Sequence, residues 1–196
     1  LDDLTIVAQP SRWFVVWLDA RGQHVGHVPV AAPDGARRVA LLPGGDAVVL
    51  AAKELIRIAS DGQAIWSTPH SEPLDMVVDG QGDVVVLGTS DVTKLSAQGD
   101  VLWSTPLELI DPSLTITGQD RIFVTSSGWE AALIELDADG TLLRQELVAC
   151  LATLRIGANQ GSAGPVLMTR SAPLVILGDE LHTDADGLRQ LARLLP

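Results

Sequence analysis

His24, His27, His70 and His182 are the side chains in this sequence best suited to hold a metal or move a proton near neutral pH. His24 and His27 are three apart, which on a regular strand puts them on opposite faces and makes them a poor chelating pair. His70 follows the string Trp66-Ser67-Thr68-Pro69, and His182 precedes an acidic stretch. None stands at a recognised ligand spacing from a Cys or Asp. Asp137-Ala138-Asp139-Gly140 and Asp184-Ala185-Asp186-Gly187 set carboxylates at alternate positions before a glycine, as calcium loops do. The later ligands and closing glutamate are missing, whereas Asp-Gly is favoured hairpin chemistry, so both read as turns. No Gly-x-Ser-x-Gly elbow, phosphate loop or dinucleotide fingerprint occurs. The residues predict no catalytic constellation, no metal site and no cofactor.

Composition narrows the partners. Net charge is −12, from 25 acids against 13 bases, which opposes nucleic acid and anionic membranes. Arg37-Arg38 is the only adjacent basic pair and reads as a solvated loop. Hydrophobic residues make up 46% and charged residues 19% of the chain, a globular balance. No apolar run approaches the roughly 20 residues of a membrane helix. Cys150, between apolar neighbours, is the single cysteine, so it reads as a buried inert thiol with no internal disulfide. No targeting segment is visible. The chain starts at Leu1 without a methionine, which predicts a processed or excised form and leaves the compartment open.

Whatever chemistry exists must be positioned by repeats. Trp66-Ser67-Thr68-Pro69 recurs as Trp103-Ser104-Thr105-Pro106, 37 residues on. Each string follows a turn glycine, Gly62 or Gly99, at the same offset, and similar turns stand at Gly22, Gly140 and Gly187. A period near 40 residues marks a modular array. Between the turns lie short β-rich runs. In the second repeat these are Arg38–Leu42, Ala47–Ala51, Leu55–Ala59 and Ala64–Ser67. In the third they are Asp75–Val78, Val84–Gly88, Val92–Leu95 and Val101–Ser104. The fourth gives Leu114–Thr117, Ile122–Thr125, Ala131–Leu136 and Leu142–Glu146. The first offers Thr5–Ala8, Trp13–Leu18 and Gln23–Val28 without an innermost strand. The last offers Thr153–Ile156, Val166–Thr169 and Leu174–Leu177. The second run of each unit, such as Val84–Leu87, is continuously apolar, which suits a strand covered on both faces. Four strands in about 40 residues is the size of a propeller blade. The expectation is therefore an all-β, propeller-like array of about five four-stranded blades over 1–196, with repeats near 1–35, 36–72, 73–111, 112–150 and 151–196. It would be a closed five-bladed ring or part of a larger propeller. The segment Leu188–Leu195 fits a short helix or a strand completing the first blade.

The stretch Leu74 to Thr89, followed by Ser96 to Trp103, resembles the quinoprotein-like (PQQ-like) propeller repeat, in which a Gly turn leads into an outer strand ending in Trp. Pro73 to Val86 also resembles an NHL-type repeat. At the offset of Trp66 and Trp103, the other repeats carry Gly26, Arg144 and Leu191. The quinone-dependent enzymes of that resemblance use a vicinal cysteine pair, which Cys150 alone cannot form. Trp66 and Trp103 read as packing residues between blades, with Gly22, Gly62, Gly99 and Gly140 as structural turn glycines.

Loops joining second to third strands, and loops joining one blade to the next, gather on one face of a propeller. The binding candidates are those on this face: Lys53, Glu54, His70, Asp91, Trp129, Glu130 and Arg170. Trp129 beside Gly128 has the character of an interface anchor. Mixed polar loops on a rigid support suit recognition better than catalysis. The expected function is non-enzymatic binding or scaffolding of a protein partner through the loop face. The alternatives are a small-molecule or glycan-binding propeller, a calcium-dependent lactonase-like hydrolase, and a structural module within a larger assembly.

Overall fold

The computed structural model of the chain describes residues 3–9, 12–19, 21–32, 34–126, 131–148, 155–157, 166–168, 173–177 and 180–182. Leu188–Leu195 and Cys150 lie outside them. The described residues form two compact units, 1–106 and 107–196.

Unit 1 carries three antiparallel sheets. The first holds β1 (Asp3–Gln9), β2 (Arg12–Leu18) and β3 (His24–Val30). The second holds β4 (Ala36–Leu41), β5 (Ala47–Ala51), β6 (Glu54–Ile58) and β7 (Ala64–Pro69). The third holds β8 (Asp75–Val78), β9 (Val84–Leu87), β10 (Asp91–Leu95) and β11 (Val101–Pro106). Unit 2 holds β12 (Ser113–Ile116), β13 (Ile122–Thr125), β14 (Ala131–Leu136) and β15 (Leu142–Val148), then the short β16 (Arg155–Gly157), β17 (Val166–Met168), β18 (Pro173–Leu177) and β19 (Glu180–His182). Strands pair in chain order within every sheet. In register, β2 and β3 match the third and fourth strands of the later sheets, so the first sheet lacks the first strand, as expected. The strand β19 is an addition to the sequence reading.

The apolar second strand explains how the sheets of unit 1 stack. Successive side chains of β5 point to opposite faces. Ala47, Val49 and Ala51 join Val15, Trp17 and Val30 in one core, while Val48 and Leu50 join Met76, Val84 and Val86 in another. A strand dry on both faces needs a covering sheet on each side.

The turn glycines serve as sockets. Gly62 and Gly99 have φ of +92° and +88°, and a Cβ on Gly62 would stand 2.7 Å from Val28 Cγ1. On Gly99 it would stand 2.9 Å from Trp66 Cδ2. Each turn thus lies directly under the fourth strand of the preceding sheet, where no side chain fits. The Trp66 indole donates to the Ala97 carbonyl at 2.9 Å, and the Thr68 hydroxyl donates to the Gly99 carbonyl at 3.0 Å. The packing role read for Trp66 is a concrete bond from the second sheet to the third.

A polar chain runs beside it. One position on the third strand, just before a register shift, is Trp17, Arg57, Lys94 and Glu135 in successive sheets. Arg57 binds Asp46 Oδ2 through Nη2 at 2.7 Å and reaches the Ala97 carbonyl. The Ala97 amide donates to Asp83 Oδ1 at 3.0 Å. Lys94 Nζ lies 2.8 Å from Asp79 Oδ2 and 3.6 Å from Asp83 Oδ2. Burial works to raise the Asp79 carboxyl, but the Lys94 ammonium and the Asp83 and Gln81 amides outweigh it and hold the group below its ordinary value. Burial works to lower Lys94, but Asp79 and then Asp83 outweigh it and hold the ammonium above its ordinary value.

Two outcomes follow from this packing. Gly44, with φ +101° and nothing near its Cβ position, carries only backbone strain on change to alanine, about 1 kcal/mol. Gly99→Ala adds overpacking against Trp66 and should cost about 1–3 kcal/mol more in urea unfolding. Lys94→Met strands Asp79 and should cost about 3–5 kcal/mol. The depressed Asp79 contributes stability above its unfolded pKa and loses it as pH falls through the folded value. The raised Lys94 contributes below its unfolded pKa and loses it as pH rises through the folded value. Wild-type urea midpoints should therefore hold a plateau from about pH 5 to 10 with a pair-dependent fall on each flank, which the variant lacks.

Candidate functional site

In unit 1 the loops after second strands and the loops between sheets emerge at the same end. Here the structure gathers four of the sequence candidates. Lys53 Nζ lies 3.3 Å from Asp34 Oδ2, both largely exposed, a pairing worth little in water. The Ser67 hydroxyl donates to Glu54 Oε2. The His70 amide donates to the Lys53 carbonyl at 2.9 Å, tying the inter-sheet loop to the β5–β6 turn.

His70 and Asp91 come together at the next sheet. The His70 side chain is only 8% exposed, with Nε2 3.9 Å from Asp91 Oδ2. Its Nδ1 stands 3.2 Å from the Ser71 carbonyl. Thr93 and Ser104 place their hydroxyls 2.7 and 3.2 Å from the same Asp91 oxygen, and 2.8 Å from each other. Gly88 makes room for this cluster. A Cβ there would lie 2.3 Å from Asp91 Oδ1 and 3.1 Å from His70 Cε1. The doubled string now has a residue-by-residue meaning. The Trp66 indole bonds the next sheet, Ser67 and Ser104 each serve an acid at the start of the neighbouring third strand, and Thr68 bonds the next turn.

His70, Asp91 and Ser104 are the residue types of a hydrolytic triad in a different order. The serine hydroxyl is bound to the carboxylate, whereas a triad sets the imidazole between the serine and the acid. The arrangement orders a loop. Among the described residues no three His, Cys, Asp or Glu side chains are grouped to hold a metal ion. No helix among them is long and apolar enough to cross a membrane.

Three sequence candidates, Trp129, Glu130 and Arg170, lie outside the described residues. Trp103 sits half-buried on β11, and Gly22 and Gly140 hold φ of +73° and +78°. The sequence places Arg37-Arg38 in a solvated loop, and the structure corrects this. The pair opens β4 and reaches to the third sheet, with Arg37 Nη1 2.8 Å from the Pro73 carbonyl and Arg38 Nε 2.8 Å from the buried Asp75 Oδ1. An ion pair one period away is the signal that could have found it.

No protein-family model and no curated protein matches the chain. Solved structures do. Streptogramin B lyase superposes with a TM-score of 0.64 at 15% identity, over 85% of this chain and 62% of its own. The WD40 domain of Pan2 from Neurospora crassa gives 0.55 at 14%, over 88% and 65%. BBS1N, in a complex with ARL6DN, gives 0.61 at 18%, over 83% and 53%. The fold is that of a β-propeller. Its four-stranded antiparallel sheets are blades, and the chain spans about half to two thirds of the length of these neighbours.

Gly88→Ala should push the Asp91 carboxylate off His70 and cost about 1–3 kcal/mol in urea unfolding. Asp91→Ala leaves the buried Thr93 hydroxyl with only Ser104 and should cost about 1–2 kcal/mol. Both variants should shift the His70 ring resonances in NMR spectra, and Asp61→Ala, in a turn at the opposite end of the blade, should leave them in place.

Proposed function

We propose that this chain is a non-enzymatic recognition domain, built from quinoprotein-like or NHL-type blades, that binds a protein partner through the loop face bearing Lys53, Glu54, His70 and Asp91. The observation that carries the reading is the commitment of the His70 and Asp91 side chains to holding loops in place. Ser71, Glu72, Thr89 and Ser90 stand exposed on loops anchored through His70 and Asp91. Rigid loops presenting polar tips lower the ordering cost of association, which is what a recognition surface requires. BBS1N, solved with ARL6DN, supports the reading as a protein of similar fold captured with a partner. Streptogramin B lyase carries an enzyme's name on a similar fold. The order of Ser104, Asp91 and His70 favours recognition here.

The reading is tested by quantitative affinity capture from lysate of the source cells. The wild-type chain is compared with a Lys53→Glu/Glu72→Lys/Thr89→Arg variant and with an Asp61→Lys/Gln98→Lys variant at the opposite turns. The expected result is a protein whose recovery falls at least about tenfold, or about 1.4 kcal/mol, with the loop-face changes and holds with the others. Recovery that is the same for all three chains sinks the proposal.

A further inference from the structure

We propose that His24 and His27 form a two-histidine site for a divalent transition-metal ion of the zinc, nickel and copper class. On a regular strand the two side chains would diverge. Here β3 pairs His24 with Leu18, Gly26 with Trp17 and His27 with Val16, so Val25 is an extra residue in the ladder. That bulge cancels one alternation and turns both imidazoles to the same face. His24 Nε2 and His27 Nδ1 face each other at 3.1 Å.

The separation is what a chelated ion needs. Imidazole nitrogens lie about 2.0–2.1 Å from zinc, so two nitrogens this far apart subtend about 100° at the metal. That angle lies between the octahedral and tetrahedral values, and water would complete the coordination shell. Imidazole nitrogen is the donor that zinc, nickel and copper favour over calcium or magnesium. Both histidines are exposed, so a hydrated ion can reach them. Phe14 meets the His27 ring edge-on at a centroid distance of 5.8 Å and fixes its orientation. In the second and third blades, the positions of Phe14 and His27 hold instead Glu54 with Ser67 and Asp91 with Ser104. The first blade has thus replaced an acid–hydroxyl pair by an aromatic and a ligand. Without metal, one of the two facing nitrogens donates its proton to the other in a hydrogen bond; on metal binding that proton would move to the other nitrogen of its own ring, leaving both facing nitrogens free to ligate. The chain's charge of −12 draws cations to its surface.

The experiment is a calorimetric titration of the 196-residue chain with zinc chloride, and separately with nickel chloride, in a weakly coordinating buffer. Wild type, His24→Gln, His27→Gln and His182→Gln are compared, with circular dichroism confirming the fold of each. One site should appear in the wild type. Each of the first two variants should weaken it at least about tenfold, since even changes around a metal's ligands cost 10–100-fold. His182→Gln should leave it in place. Nitrogen-15 NMR of the zinc-loaded chain should show ligation through His24 Nε2 and His27 Nδ1. The proposal falls if the wild type takes up neither ion at millimolar concentration. It falls equally if His24→Gln and His27→Gln bind as the wild type does, or if other ring nitrogens carry the metal.

Discussion

A strand with no face to give to water governs unit 1. The side chains of β5 are buried along both faces, so its sheet cannot stand without a neighbour on each side. Burying apolar area is the dominant favourable contribution to folding, and here the second sheet divides that area between two partners. The division demands close approach, and close approach demands the turn glycines. Gly62 and Gly99 lie where the preceding sheet's Val28 and Trp66 leave no space for a Cβ. The period of about 40 residues is therefore a packing period before it is a turn period.

Polar atoms at the edge of that apolar contact are bound and not left bare. The Ala97 carbonyl accepts from Trp66 and Arg57 of one sheet while the Ala97 amide donates to Asp83 of its own. The backbone of one residue thus joins two blades and the buried Lys94 cluster. Such a network is weak evidence for added stability, because burying charge is itself costly. Its effect is positional, since a slip of one sheet against the next would leave several groups without partners. Trp17 does the same work in the first blade, with its indole 3.2 Å from the Gly45 carbonyl.

Much of this architecture was legible in the sequence, because apolar runs and Asp-Gly or Gln-Gly turns are local signals. Strand ends of the second, third and fourth repeats fall within two residues of expectation, and the packing role of Trp66 follows from its position after the turn. The rest depended on register. Trp17 escapes the pattern because it lies on the third strand, across from Gly26, where the second and third blades carry their Trp on the fourth. A spacing of three places His24 and His27 on opposite faces, because one bulged residue cannot be seen in a spacing. Local sequence places Arg37-Arg38 in a solvated loop because the acid that binds Arg38 lies on the next sheet. The order of the strands alone assigns residues to the loop face, and their mutual contacts, such as Gly88 making room for Asp91 and His70, arise only when loops meet in space.

The third-strand position has a consequence for how such a chain can be rearranged. In the second and third blades a cation there, Arg57 or Lys94, meets an aspartate in the turn between the first and second strands. In the fourth blade the signs are reversed, with Glu135 on the strand and Arg121 in the turn. A crossover in the middle of a blade, joining the first hairpin of the fourth repeat to the second hairpin of the second or third, or the reverse, would set cation against cation or carboxylate against carboxylate in a partly buried place. A crossover in the connections between blades would keep every pair intact. Between the fourth blade and either of these two, half-blade exchange is closed by charge, and the whole blade is the unit that can be exchanged.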